Sequence, residues 1–271
     1  MKFRTIAVAV ATACALTTIA VPPAAAADDL TTLAKMAPGV SKPKLKAAAK
    51  YLAKKRKTTY TKELKAVIAA IKKQGSINSS HKVSANAAST GVAPAGGGGG
   101  SKIYAAKAKW VGDIVVSTLG FRMGTVNYGH TGLYVEKSRI LHAPGAGTIA
   151  VRQNADEVEI GVGTQYMTTP LSVAKQQKVA EYATATYEGQ DYNYLFFSNK
   201  VPNDTYYTDP VSKVKVNLNP GDRVNCSELV WASYQAKGGI NLDGYTKGNG
   251  DAYAVFPWDI EQSADTTSYT P

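Results

Sequence analysis

Hydrophobic and polar positions along this 271-residue chain fall into three regimes. Between residues 28 and 75 the apolar positions recur at helical spacing. Leu45, Ala48, Ala49 and Leu52 stand at i, i+3, i+4 and i+7, with Pro43 at a helix start. Leu64, Val67, Ile68 and Ile71 repeat that spacing, with Thr61 as the expected N-cap. Residues 76–101 lose the periodicity, are rich in Ser, Ala and Gly, and end in Gly96-Gly-Gly-Gly-Gly100, the composition of a flexible linker. From residue 102 onward strand and helix patterns mix. Gly112-Asp-Ile-Val-Val116 reads as the start of a strand. His130-Thr-Gly-Leu-Tyr-Val135 and Arg139-Ile-Leu-His-Ala143 alternate on either side of a three-residue turn, Glu136-Lys-Ser138. Leu171 to Tyr187 is helical, with Val173, Val179, Tyr182 and Ala183 inward and Gly189 as a stop. Cys226 to about Lys237 is a second helix closed by Gly238-Gly239. This is an α+β pattern, and residues 102–271 make one domain of ordinary size.

The first 27 residues carry a different signal. Met1-Lys-Phe-Arg4 is a short basic start, Thr5 to Val21 is apolar, and Ala25 and Ala27 form an A-x-A site. This predicts a secretory signal peptide cut before Asp28. Cys14 does not read as a lipoprotein cysteine, because the apolar run continues past it and Ala11 stands where Leu is usual. No later stretch reaches the roughly 20 apolar residues of a transmembrane span. The expectation is a secreted protein, either released or associated with the cell wall.

Charge sharpens the division. The chain has a net charge of +11 and a pI of 9.4, but residues 28–75 alone carry +10 and residues from 102 onward carry −2. Lys54-Lys-Arg-Lys57 lies between the two helical patterns. The partner expected for this basic helical module is an anionic wall polymer, and the competing reading is a basic pro-segment. Export argues against nucleic acid as a partner.

Cys226 carries the candidate chemistry. Once the signal peptide is gone it is the only thiol, and exported proteins ordinarily pair their cysteines. It stands at the start of the helix in Arg223-Val-Asn-Cys-Ser-Glu-Leu-Val230, where unpaired backbone N–H groups favour a thiolate. A free thiol has a pKa of about 8.5, and this placement is expected to lower it. A thiol nucleophile needs a base, and the base needs an orienting group. His130 and His142 are the two histidines of this domain, 12 residues apart on consecutive strands. Pairing Val135 with Arg139 sets His142 opposite Gly132 and places His130 diagonal to it on the same face. His81 falls in the linker and reads as solvated. A zinc site built from Cys226, His130 and His142 has suitable ligand types but lacks the short ligand spacings usual for zinc, so neither a metal nor another cofactor is expected.

His130-Thr-Gly-Leu-Tyr-Val, Ile140-Leu-His-Ala and Asn225-Cys-Ser-Glu-Leu-Val together resemble the NlpC-type papain-like cysteine hydrolases. The order, histidines before cysteine, is similar to the circularly permuted, YiiX/YebB-like branch, as are Gly112-Asp-Ile-Val and Pro257-Trp-Asp-Ile. The resemblance covers most of residues 110–262. It implies a permuted papain-like domain, an antiparallel sheet with the nucleophile on a helix N-terminus, preceded here by a small helical basic module. It implies Cys226 as nucleophile, His130 as base and His142 as the orienting residue, a position where many permuted members carry Glu. Gly189-Gln-Asp-Tyr-Asn-Tyr194 resembles the segment that supplies a tyrosine near the oxyanion; Tyr192 matches it, with Asp191 in place of proline. Glu228, in the first turn of the helix, reads as a structural partner.

The function expected is a secreted cysteine amidase or peptidase acting through an acyl-enzyme on cell-wall peptides or another amide substrate. Lipid acyl hydrolysis or acyl transfer is the alternative within the fold, since the family also resembles lecithin retinol acyltransferase. A non-catalytic wall-binding protein is the alternative outside it.

Overall fold

The computed structural model describes residues 24–37, 40–72, 103–119, 122–123, 126–127, 129–145, 147–195, 200–243 and 254–271. Most of the signal peptide, with Cys14, and all of the linker, with His81, lie outside the described residues.

Three helices come first: α1 (Ala24–Met36), α2 (Lys42–Lys55) and α3 (60–72). Pro43 sits in the first turn of α2, where its missing N–H costs nothing. Leu45, Ala48, Ala49 and Leu52 are buried, as are Leu64, Val67, Ile68 and Ile71 of α3, so the helical period predicts the inward face. The N-cap of α3 is Thr59, not Thr61: the Thr59 hydroxyl accepts from the Lys62 N–H at 3.3 Å and its carbonyl from the Glu63 N–H at 3.0 Å. Thr59 stands one turn ahead of both donors, so its two oxygens meet the first free N–H groups of the helix.

The remaining elements run in chain order. Strands β1 (Ile103–Tyr104), β2 (Ile114–Ser117), β3 (Arg122–Met123), β4 (Val126–Asn127), β5 (His130–Glu136), β6 (Arg139–His142), β7 (Val151–Asn154), β8 (Glu159–Ile160) and β9 (Gln165–Thr168) lead to α4 (Val173–Tyr187). Strands β10 (Asp191–Tyr192), β11 (Thr205–Thr208), β12 (Lys215–Asn219) and β13 (Arg223–Val224) precede α5 (Cys226–Ser233), and α6 (Pro257–Glu261) and β14 (Thr267–Tyr269) close the chain. The fold is α+β. Its centre is a six-stranded antiparallel sheet in the order β14-β9-β2-β5-β6-β7.

Each face of this sheet has its own core. Ile114, Val116, Leu133, Leu141 and Met167 pack with Val179, Leu229 and Val230 of α4 and α5. Val115, Tyr134, Ile140 and Tyr166 pack on the other face against Ala105, Ala108, Val158 and Ile160. Burial on both sides departs from the half-exposed strands that the alternation predicts.

The β5–β6 turn differs from the expectation. Glu136 pairs with Arg139, leaving a two-residue turn, and a bulge at Val135 restores Leu133 opposite Leu141. The bulge adds the residue that the shorter turn removes, so the expected register holds at His142. One basic helix also packs on the body: α2 lies against the β11–β12 hairpin, with Lys50 Nζ 2.7 Å from Asp209 Oδ2. That bond and the N–H groups of Val211 and Ser212 hold the Asp209 carboxyl down to about 2.

Candidate active site

Asn225-Cys-Ser-Glu228 is a helix start in which each side chain has a task. The Asn225 side-chain oxygen accepts from the Glu228 N–H at 2.9 Å, and Glu228 reaches back to the Asn225 N–H at 3.4 Å. This reciprocal capping box fixes where α5 begins and so where Cys226 stands. The Ser227 hydroxyl donates to the Val255 carbonyl at 2.6 Å, tying the helix start to the segment ahead of α6. Glu228 also accepts from Asn193 at 3.2 Å and Asn219 at 3.4 Å. It is a structural partner. Burial nonetheless pushes its carboxyl up to about 7, because these hydrogen bonds offset only part of the desolvation.

The Cys226 sulfur meets the backbone of β5. On β5, the Tyr134 N–H and carbonyl bond to Asp113 and Gly112, on the β2 side. Alternation turns the Thr131 N–H the opposite way, toward β6, which ends at His142. With no strand partner beyond that end, the Thr131 N–H points at the sulfur, as do the N–H groups of Ser227 and Cys226 itself. The sulfur therefore lies against the start of β5. His130 is the first residue of β5 and His142 the last of β6.

The two histidines meet as the register requires. His130 Nε2 is 2.7 Å from His142 Nδ1. Strand pairing continued from Leu133–Leu141 sets Gly132 opposite His142, and a Cβ at Gly132 would fall 2.5 Å from Ile140 Cγ2 and 3.2 Å from His142 Cβ. Glycine leaves the space that lets the diagonal pair close. The chain runs on to β7, where Gln153 Oε1 is 2.6 Å from His142 Nε2. Gln153 pairs with Ile140, so it is diagonal to His142 on the same face. Sequence reasoning missed it. The eight residues between β6 and β7 have no period from which that register could be counted.

All three groups are buried: His130 is 8% exposed, His142 4% and Cys226 5%. Burial, helped by the neighbouring His142, lowers the His130 pKa well below its usual value; burial lowers that of His142 as well. Burial also pushes the Cys226 thiol up to about 11, outweighing the three N–H groups and the helix start. The expected lowering of the thiol pKa does not occur, because desolvation exceeds the helix-terminus effect. No hydrogen bond joins the sulfur to His130, whose Nδ1 is buried without a partner. Thiol and imidazole each rest neutral.

Tyr192 pairs with Val224 across the parallel β10–β13 bridge, two residues ahead of Cys226. Its ring is buried in the main core, edge-on to Tyr194 at 5.6 Å. Among the described residues no three His, Cys, Asp or Glu side chains are grouped to hold a metal ion, and no helix is long and apolar enough to cross a membrane.

No family model matches the chain. The chain is similar to the uncharacterised protein YycO of Bacillus subtilis, strain 168. The two are 28% identical over 143 residues, 52% of this chain and 49% of that protein, so the chain spans about half the length of the curated relative it matches. Among solved structures it is similar to the crystal structure of metalloprotein YiiX from Escherichia coli O157:H7, at 18% identity and a TM-score of 0.40, covering 59% of this chain and 96% of that one.

Proposed function

We propose that the protein is a secreted cysteine hydrolase, an amidase or peptidase acting on cell-wall peptides. The observation that supports this most is the sulfur of Cys226 at the head of α5, met by three backbone N–H groups beside the first residue of β5. In this reading His130 takes the thiol proton as the sulfur attacks the substrate carbonyl. The C–N bond breaks, and the same proton leaves on the departing amine. A thioester remains, and water hydrolyses it. His142 holds the His130 ring in place. The Cys226 N–H, with Tyr192 as the second donor, is the group assigned to the developing oxyanion. Because thiol and imidazole rest neutral, the nucleophile forms during attack and not before it. The basic helices α2 and α3 hold the enzyme on anionic wall polymer, which brings its substrate within reach.

Incubating the purified mature protein with isolated wall peptides, and identifying the products by mass, tests the reading. The expected result is two fragments separated at one amide bond, whose masses together exceed that of the intact peptide by one water. Intact peptides after prolonged incubation would contradict it.

A further inference from the structure

The imidazole chain does not end at His142, and its far end decides where the protons sit. Gln153 Oε1 lies 2.6 Å from His142 Nε2, and an amide oxygen can only accept. His142 Nε2 therefore carries its ring proton and His142 Nδ1 is a bare lone pair. His130 Nε2, 2.7 Å away, must donate to that lone pair. Burial keeps both rings neutral, so each has one ring proton to place. His130 Nδ1 is left unprotonated, and it is the ring atom that has no partner. The opposite polarity would put an N–H at that atom, a buried donor with nothing to accept it.

We propose that Gln153 is a positioning residue that fixes the tautomers of both histidines through this relay, leaving the lone pair of His130 Nδ1 to accept the Cys226 proton. The use of that lone pair rests on the cysteine-hydrolase reading; the tautomers do not. Gln153 suits the task because it is diagonal to His142 on one sheet face, as His142 is to His130. The relay thus crosses three strands in equal steps. An amide also adds no charge. A carboxylate at this position would hold a proton on the rings and weaken the resting base.

The test is nitrogen NMR of the full mature protein labelled at histidine. The chain has three histidines, so the ring signals are few enough to assign. The expected spectrum at pH 7.5 shows both His130 and His142 protonated at Nε2 alone. In Gln153→Met, which keeps the length but loses the acceptor, His142 should become a mixture of tautomers. Alkylation of Cys226 by iodoacetamide should slow by about tenfold, less than the roughly 100-fold or more of a lost base, because only the tautomer is disturbed. Gln153→Glu should restore the Nε2-protonated tautomer of His142, with a higher ring pKa and alkylation still slower than in the unaltered protein. A proton on Nδ1 of either ring in the unaltered protein, or unchanged tautomers in Gln153→Met, would overturn the proposal. Should Gln153→Met not fold, the spectrum of the unaltered protein decides alone. The expected tautomers together with uncleaved wall peptides would keep the relay and remove the hydrolase reading.

Discussion

Burial sets the protonation of every group around Cys226. The sequence shows a thiol at a helix start, and the sign of its pKa shift was not legible there because desolvation is a property of the assembled core. Glu228 gives the clearest measurable consequence. Its carboxyl rises from 4.5 to about 7 on burial, so its contribution to stability is fully present below pH 4.5 and is lost as pH rises through 7. Glu228→Gln removes that titration. Between pH 4 and pH 8 the stability difference between variant and parent should move in the variant's favour by on the order of 3 kcal/mol, read by denaturant unfolding. A difference that is flat with pH would mean that Glu228 is already ionised at little cost.

At the scale of elements, the helices and the two histidine strands were legible from their periods, although Val173, expected inward, is exposed in the first turn of α4 and the cap of α3 is Thr59. Pro43 and Cys226 each mark a helix start that the structure keeps, whereas the α-helix from Cys226 ends at Ser233 and continues as a π-helical turn, Tyr234–Gly238, before Gly239 stops it in the left-handed conformation. The turn between β5 and β6 was misread by one residue, and the bulge at Val135 compensated. Gln153 was not legible, since its place depends on how β7 pairs after an irregular connection. The diagonal geometry of the relay depends on Gly132. Gly132→Ala drives a methyl group against Ile140 Cγ2 and His142 Cβ. It should lower stability by about 1–3 kcal/mol, seen as a lower Tm, and displace His142 so that the 2.7 Å contact to His130 opens. An unchanged Tm with unchanged histidine NMR shifts would show that the strands absorb the methyl group without loss.

Over the whole molecule, charge and chemistry occupy different places. The basic excess lies in α2 and α3, of which α2 packs on the β11–β12 hairpin through Lys50 and Asp209, while the sulfur lies at the head of α5 and the histidines on β5 and β6. Sequence composition revealed the asymmetry but not the packing, which depends on the apolar face of α2 meeting a distant hairpin. Replacing the exposed Lys46, Lys54 and Lys62 with Gln should weaken adsorption to anionic wall polymer and flatten its salt dependence, because solvated charges act within about 8 Å at physiological ionic strength. Turnover of a small soluble peptide should stay the same. Undiminished adsorption would place wall attachment elsewhere. The central claim, that Cys226 is a nucleophile served by His130, is tested most directly by the cleavage rate of wall peptide in three folded variants. Cys226→Ser and His130→Ala should each abolish cleavage, and His142→Ala should reduce it less, since an orienting group is less essential than nucleophile or base. Cleavage at the parent rate by Cys226→Ser would contradict the account.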